Sequence, residues 1–378
     1  MPPTANTTWS WMRNGDEVFP VMLEAIETAR ASVSLESYTF TGGELGLRFR
    51  ESLVSAATRG VKVRVLVDAI GSVELAEDFW TPLREAGGEV RVFNPLGLKR
   101  FGIRDHRKLL VCDETCAFIG GFNVAPEYEG DGVTRGWCDL GLRLEGALVK
   151  ELSLSFEEMF ALAEFRHKRP VRLWRAQHRK IVEAANERLL LCGPGRGRSP
   201  LRRELMADLR HAKNVQIMAA YFLPAWRIRQ ALARAARRGG KVQLLLPGKS
   251  DVPLAQAAGR SVYRRLLKAG VEIYEYQPQV LHAKLCVLDD AVYVGSANLD
   301  PRSLSINYEL MVRFQNPQMA DEARALFADA LKNSRRISLE ELRRTETLWS
   351  RLKQRLAYFL LVRIDPHVAR HQWRGLPE

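Results

Sequence analysis

The sequence predicts an α/β fold that contains the same unit twice, and three observations lead to this expectation. A histidine, a lysine two residues later and an aspartate five residues after that occur at 106–113 and again at 282–289. A short apolar segment, small residues and an asparagine follow each motif. Before each motif, amphipathic helical segments alternate with short apolar segments in the same order. Such alternation is typical of layered α/β proteins.

The elements of each half follow in the order helix, strand, helix, strand, helix, strand and motif. Apolar residues at helical spacing predict the helices, short β-rich runs predict the strands, and glycines indicate where helices end. The first half contains MLEAIETA (22–29), SVSLESYTF (32–40), ESLVSAATRG (51–60), VKVRVLV (61–67) and LREAGGEVRVF (83–93). The second half contains LMADLRHA (205–212), NVQIMAAYFLP (214–224), QALARAARRGG (230–240), KVQLLLP (241–247) and LLKAGVEIYEY (266–276).

Composition and charge limit the classes of function. The 378 residues are 46% apolar and 27% charged, which is typical of a globular protein with one large or two ordinary domains. We find neither a signal peptide nor an apolar stretch long enough to span a bilayer, so we expect any membrane contact to be peripheral. The net charge of +13 predicts a polyanionic partner, nucleic acid or anionic lipid, although a merely solvated basic surface carries the same charge. Five cysteines, mostly in apolar runs, predict reduced thiols in a reducing compartment.

The two motifs suit an anionic substrate. Residues two apart on a strand share a face, so the histidine and lysine of each motif project together. They are His106 and Lys108 in the first motif and His282 and Lys284 in the second. If the halves pack about a pseudo-twofold axis, one histidine can attack phosphorus while the other protonates the leaving oxygen. This pair predicts a bell-shaped dependence of the rate on pH.

Small and amide side chains after each motif are candidates for phosphate binding. Gly121 and Ser296 are small enough to let backbone N–H groups approach a phosphate. Asn123 and Asn298 add neutral hydrogen-bond donors. Together with the lysines, they are expected to hold the non-bridging oxygens of the substrate.

Four carboxylates complete the candidate site. Glu309 lies eleven residues after Asn298, and Asp139 follows the first motif at a longer spacing. Each is expected to accept a hydrogen bond from one histidine ring and so to fix its tautomer. Asp113 and Asp289 are grouped with the catalytic residues of the motifs, although their position at a turn favours a structural role.

A zinc site is the alternative for the first motif. Cys112, Cys116 and Cys138 lie near His106 in the sequence. They do not form the closely spaced pair of a zinc knuckle, and the second half offers only Cys286. We therefore expect no metal and no other cofactor.

The sequence also predicts where the parts of the chain begin and end. The expected segments are a first half (1–165), a basic linker (166–200), a second half (201–335) and a basic helical extension (336–378). Within the extension, residues 339–364 predict one amphipathic helix. Its apolar face suits either the headgroup layer of an anionic membrane or a packed position on the domain, and both alternatives remain open.

The doubled H-x-K-x4-D motif resembles the signature of the phospholipase D superfamily. Further segments are similar to bacterial cardiolipin synthases of the shorter B-type and cover about residues 14–315. They are GDEVFPVMLEAI, ESYTF, RGVKVRVLVDAIGS, DHRKLL, GWCDLGLRLEG, AAYFLP and GSANLDPRSLSINYEL. The resemblance implies two phospholipase D-like α/β/α sandwich halves, packed about a pseudo-twofold axis with one shared active site.

The resemblance also implies an activity. The phosphatidyl group of one phosphatidylglycerol would pass through a phosphohistidine to a second, without a metal, and glycerol would leave. His106 would be the nucleophile and His282 the general acid and then base, although the symmetry leaves these roles reversible. The protein would act peripherally at the cytoplasmic face of the bacterial inner membrane, with no nucleic acid and no obligate protein partner.

Some residues depart from the family pattern. Gly42 and Gly43 stand where many relatives carry an acidic pair, which puts a headgroup contact there in doubt. Glu36 is expected either to touch the acceptor or to cap a strand. A phospholipase D that uses water as acceptor and a phosphodiesterase that acts on nucleic acid remain alternatives. A non-catalytic scaffold is disfavoured because both motifs are intact.

Overall fold

The predicted duplicated α/β fold is confirmed. The computed structural model describes residues 7–94, 102–163, 179–184, 186–195 and 199–365. These residues form two mixed sheets, with helices on the outer faces of both sheets. The central strands have the same order in the two sheets. The predicted order of helices and strands is found in each half, and a short strand precedes it in the first.

Strands from the first half form one sheet. They are β1 (Thr8–Met12), β2 (Ser32–Ser37), β3 (Lys62–Asp68), β4 (Glu89–Phe93), β5 (Leu109–Cys112), β6 (Cys116–Gly120) and β7 (Gly141–Glu145). Their order is β1-β7-β6-β5-β2-β3-β4. β2, β3 and β4 run parallel, as expected for strands joined through helices, and the other neighbours pair antiparallel.

The second sheet repeats this arrangement and extends it. Its strands are β8 (Lys180–Ala184), β9 (Glu187–Cys192), β10 (Asn214–Ala219), β11 (Lys241–Pro247), β12 (Glu272–Tyr276), β13 (Lys284–Leu288), β14 (Ala291–Gly295), β15 (Glu309–Gln315) and β16 (Ser334–Ile337). Their order is β16-β12-β11-β10-β13-β14-β15-β9-β8. The run from β12 to β15 has the same order as the run from β4 to β7. The motif strands β5 and β13 are therefore equivalent.

Helices cover the sheets and help to join the halves. They are α1 (Gly15–Thr28), α2 (Glu44–Thr58), α3 (Thr81–Glu85), α4 (Ala147–Ala163), α5 (Pro200–Asp208), α6 (Trp226–Arg237), α7 (Pro253–Arg260), α8 (Tyr263–Leu267), α9 (Pro301–Ser305), α10 (Pro317–Lys332), α11 (Leu339–Thr345) and α12 (Leu348–Phe359). One apolar core contains α4, α10 and strands of both sheets. The remaining core of each half lies under its own helices. The shared core fixes one half against the other, because its residues lose contact with water only when both halves are present.

The predicted linker differs from the structure. Residues 164–178, 185 and 196–198 of this region lie outside the described residues. The part between them forms β8 and β9, and β9 pairs with β15 at the edge of the second sheet. Leu189 and Leu190 are buried in different cores on the two faces of that sheet. An apolar run that is buried on both faces belongs in a sheet rather than in a linker.

The C-terminal extension is also more varied than predicted. It begins in β16, which pairs with β12, and the expected single helix is divided into α11 and α12. Thr347 interrupts the helix because its side chain accepts the N–H of Ser350 as an N-cap. A π-helical segment, Leu360–Ile364, follows α12.

The motif aspartates, grouped with the catalytic residues in the sequence although a structural role was favoured, lie at the ends of the motif strands away from the motif histidines. The carboxylate of Asp113 accepts the backbone N–H groups of Arg30, Ala31 and Ser32. The carboxylate of Asp289 accepts equivalent N–H groups at the start of β10. Partial burial opposes ionisation, but the three N–H donors hold the pKa of Asp113 below its usual value. These carboxylates therefore join the end of the motif strand to the beginning of its antiparallel neighbour.

We expect Asp113→Ala to destabilise the fold by about 2 kcal/mol at pH 7, because three backbone donors lose a charged acceptor. Urea unfolding at pH 7 measures this change. The difference should shrink as the pH falls below about 3.8 and through the lowered pKa, where the native carboxylate is protonated too. Glu114→Ala is the matched control, since Glu114 has the same left-handed backbone, with φ 54° against 53°, but accepts from the Ser153 hydroxyl. Equal losses in both variants would contradict this role.

Candidate active site

Backbone hydrogen bonds between the halves bring the two motifs together. The N–H of His106 donates to the carbonyl of Tyr308 at 3.0 Å. The N–H of His282 donates to the carbonyl of Cys138 at 2.7 Å. Each motif histidine is thus fixed against a residue of the other half, and the next residue along that segment is acidic.

Each histidine ring contacts a carboxylate from the other half. Nδ1 of His106 lies 3.0 Å from Oε2 of Glu309, and Nδ1 of His282 lies 2.6 Å from Oδ2 of Asp139. Both carboxylates are fully buried. They occupy equivalent places in the two sheets. Each lies two residues before the residue that pairs with the end of the preceding strand, which is β6 for Asp139 and β14 for Glu309. A carboxylate on Nδ1 leaves Nε2 of each ring as the nitrogen for chemistry.

The two motif lysines are buried beside the histidines. Nζ of Lys108 donates to the carbonyl of His106 at 2.6 Å. Nζ of Lys284 donates to the carbonyl of His282 and lies 2.7 Å from Nδ1 of its ring. Burial lowers the pKa of Lys108 to about 7 and that of Lys284 to about 8, although nearby carboxylates oppose the change. Both ammonium groups can therefore lose their proton close to neutral pH.

Burial and the lysines also favour neutral histidines. Burial lowers the pKa of His106, and the charge of Lys108 adds to this effect, while Glu309 opposes it. Burial and then Lys284 lower the pKa of His282 to about 4. Both rings are therefore neutral at pH 7 without substrate. A bound anion near the lysines would offset their charge and raise both values.

The asparagines after the motifs have different surroundings. The side chain of Asn123 accepts the N–H of Thr39 at 3.0 Å and donates to the hydroxyl of Tyr128 at 2.7 Å. Asn298 is buried, and its Oδ1 has no hydrogen-bond partner within the described ranges. The amide of Asn123 therefore already holds its loop, whereas Asn298 retains an unpaired polar atom.

Gly121 and Ser296 both act on the carboxylates. The hydroxyl of Ser296 donates to Oε2 of Glu309 at 2.5 Å, so it orients the partner of His106. At Gly121, an added Cβ would overlap with the carboxylate of Asp139. The first half thus leaves space for the carboxylate of Asp139 at the position where the second half provides a hydrogen bond to Glu309.

Glu36, expected either to touch the acceptor or to cap a strand, forms a buried ion pair. It is buried in β2 and pairs with Arg107 at 3.0 Å. Burial raises the pKa of Glu36, and it raises that of the adjacent Asp105. The strand registers place Met218 where the first half has Glu36. The sequence contained a signal for this group, because Leu281 and Ala283 replace Asp105 and Arg107 in the second motif.

Three aromatic residues that surround the histidines are not among the site residues predicted from the sequence. The ring centroid of Tyr38 lies 4.9 Å from that of His106. Nζ of Lys108 lies 5.1 Å from the ring centroid of Tyr38. Tyr128 and Trp137 each place a ring centroid 5.3 Å from that of His282. The Tyr in SYTF was a visible signal, whereas Tyr128 and Trp137 lie in a loop that differs between the halves.

The three cysteines of the zinc alternative do not converge. Cys112 and Cys116 pack in the core of the first half, whereas Cys138 packs against the shared core. All five cysteines are free thiols. Within the ranges that the structure describes, no three His, Cys, Asp or Glu side chains are grouped to hold a metal ion.

Residues 22–132 and 205–331 match the family described as cardiolipin synthase, PLD-like domain. Cardiolipin synthase B of Salmonella typhi is 33% identical over 362 residues, which cover 93% of this chain and 86% of the relative. Cardiolipin synthase B of Escherichia coli K12 is 32% identical over 367 residues, with the same coverage. Cardiolipin synthase 1 of Bacillus anthracis is 31% identical and covers 94% of this chain and 70% of the relative.

Solved structures show the same fold at lower sequence identity. Phosphatidylserine synthase of Haemophilus influenzae superposes with a TM-score of 0.74 at 15% identity, over 96% of this chain and 94% of that one. Polyphosphate kinase of Porphyromonas gingivalis gives a TM-score of 0.60, over 89% of this chain and 49% of that one. The family match covers both halves, and the curated relatives extend over nearly the whole chain. The chain therefore belongs to the cardiolipin synthase family of phospholipase D-like proteins.

Proposed function

We propose that the protein is a cardiolipin synthase, which transfers the phosphatidyl group of one phosphatidylglycerol to a hydroxyl of a second and releases glycerol. The observation that carries this proposal is the pairing of two buried histidines, each with a carboxylate of the other half, beside two lysines. The relatives named cardiolipin synthase support the lipid substrate. Because that substrate lies in a bilayer, the protein would act peripherally at the cytoplasmic face of the bacterial inner membrane.

In the first step, Nε2 of His106 attacks phosphorus and the bond to the glycerol oxygen breaks. His282, protonated while the substrate is bound, gives its proton to that oxygen, and glycerol leaves. The side chain of His106 is 12% exposed and that of His282 5%, which supports His106 as the nucleophile. Glu309 holds the ring of the nucleophile, and Lys108 and Lys284 stabilise the negative charge on the phosphoryl oxygens.

In the second step, a glycerol hydroxyl of another phosphatidylglycerol takes the place of the first leaving group. Neutral His282 accepts its proton, the oxygen attacks phosphorus and the bond to His106 breaks. Cardiolipin leaves, and both histidines return to their starting states. Water in place of this hydroxyl would give phosphatidic acid, so the product reports the acceptor.

We expect the wild-type protein to convert phosphatidylglycerol in vesicles into cardiolipin and free glycerol with EDTA present. His106→Ala and His282→Ala should each lose activity by roughly 1,000-fold or more, because each step needs both rings. His211→Ala is the matched control, since His211 is exposed on the surface. Lipid chromatography separates the products. Phosphatidic acid as the main product would instead identify a hydrolase, and no lipid turnover would contradict the proposal.

The nucleophile can be identified in the two histidine variants. With phosphatidylglycerol labelled at phosphorus and a long incubation, His282→Ala should accumulate label on the chain, because the intermediate still forms slowly without the general acid and its breakdown lacks the base. His106→Ala should retain none. The label should be stable in base and labile in acid, as expected of a phosphoramidate. The opposite distribution of label would reverse the two roles.

We expect kcat/KM to rise with pH as His106 becomes neutral and to fall above about pH 7 to 8. The falling limb follows from Lys108 and Lys284, whose pKa values of about 7 and 8 mean that they lose their charge there. His282, with a pKa of about 4, cannot set that limb in the free protein. Lys108→Arg, whose guanidinium does not titrate, should move the falling limb to higher pH. Rates measured from pH 5 to 9 test this, and a flat profile would contradict it.

We expect Gly121→Ala to lower kcat by roughly 100-fold, because the new methyl group displaces the carboxylate of Asp139 from His282. Gly43→Ala is the matched control, since its Cβ would have 4.0 Å to the nearest atom. Steady-state rates and thermal unfolding should be measured on both variants. A Gly121→Ala protein with wild-type kcat would show that Asp139 is not needed to orient the ring.

A further inference from the structure

Helix α12 has two apolar faces. Ala357 packs against Leu223 and Ala258 of the second half, together with Tyr358 and Leu361. A second apolar set on α12 points away from this contact and is exposed: Leu348 (82%), Leu352 (55%), Leu356 (56%) and Phe359 (53%). At about 100° per residue, these four lie within an arc of about 80°, opposite Ala357. Packing on the domain therefore does not cover the apolar face that the sequence predicted.

This exposed face stands out in the part of the chain that the structure describes. Half of the exposed large apolar side chains there lie between residues 348 and 364. Trp349, 64% exposed, lies at one edge of the arc, and Nζ of Lys353 lies 5.6 Å from its ring. A concentrated apolar patch on a soluble surface marks a binding site rather than chance exposure.

Basic residues border the same face. On the helix, Lys353 and Arg355 flank the apolar arc on its two sides. Residues 343–364 hold six Lys or Arg and one acid. An apolar stripe between cations, with a tryptophan at its edge, fits the headgroup region of an anionic bilayer. A second copy of the same face would place these cations opposite one another.

Both ends of the segment that contains α12 are held to the second half of the chain. At its start, Glu346 pairs with Arg264 of α8 at 3.4 Å. At its end, Asp365 accepts two hydrogen bonds from Arg302 in α9, at 2.6 and 2.5 Å. α9 follows the second motif closely, and the charge of Arg302 acts on Tyr38 beside His106. The exposed face is therefore anchored to the second half beside α9, the helix that follows the second motif.

We propose that the exposed face of α12, formed by Leu348, Trp349, Leu352, Leu356 and Phe359, docks on an anionic lipid surface and holds the catalytic site against it. This inference rests on the proposed function for its consequence, since lipid substrates then reach the site without leaving the membrane. The docking itself is independent of catalysis.

The test compares two double variants of the full chain in a His106→Ala background. Leu352→Glu/Leu356→Glu alters the face, and Leu47→Glu/Leu154→Glu places the same charges on exposed leucines of α2 and α4. Binding to phosphatidylglycerol/phosphatidylcholine vesicles is measured by co-sedimentation. The affinity for the vesicles should fall roughly 100-fold for the first variant and little for the second. Brominated lipids should quench wild-type fluorescence more strongly than that of Trp349→Phe.

Turnover separates this inference from the proposed function. With His106 intact, the Leu352→Glu/Leu356→Glu protein should keep wild-type turnover of detergent-dispersed phosphatidylglycerol and lose turnover of vesicles. Face-dependent vesicle binding supports the docking even if no lipid is turned over, in which case the proposed function alone fails. Wild-type vesicle binding by the variant would overturn the docking. So would light scattering that shows a dimer broken by the variant while vesicle binding is unchanged.

Discussion

Each histidine of the site hydrogen-bonds a carboxylate that belongs to the other half of the chain, and the rest of the arrangement depends on this exchange. The contacts of His106 with Glu309 and of His282 with Asp139 form only when the halves meet in one register. That register is held by backbone bonds just before each motif and by a core shared between the sheets. A displacement of one half would separate both pairs at once, because both pairs form across the same boundary between the halves.

The electrostatics of the cluster suit an anion that remains to be bound. Burial depresses the pKa of Lys108 and of Lys284 even though two buried carboxylates lie nearby. A phosphodiester placed between these lysines would supply the missing negative charge and favour their protonated forms. It would also remove part of the repulsion that keeps His282 neutral. Substrate binding and the protonation of the general acid are therefore coupled in the proposed mechanism.

The repeat, the order of elements and the motif histidines could be predicted because they depend on local patterns and on similarity within one chain. The contact of Asp139 was harder to predict, since it follows a loop that is longer than its counterpart and reaches the same register only through sheet pairing. The ion pair of Glu36 was harder to predict, because its partner Arg107 lies far away in sequence, just before β5. Likewise, the hydroxyl of Tyr128 occupies the amide of Asn123, which no spacing indicated. Local spacing predicts which residues approach the site, whereas contacts such as those of Glu36 and Asn123 depend on parts of the fold that the spacing does not describe.

The exchange of carboxylates has a consequence for how the protein is made. A ribosome delivers the first half well before the second, and early domains begin to fold during synthesis. At that stage the chain already contains His106 and its lysine, but the carboxylate partner of this histidine, Glu309, has not yet been added. Asp139 likewise waits for the second histidine. The nascent protein thus has neither histidine–carboxylate pair until about three-quarters of its length is complete, and it has both only at about four-fifths, so reactive histidine chemistry begins only in a nearly finished molecule.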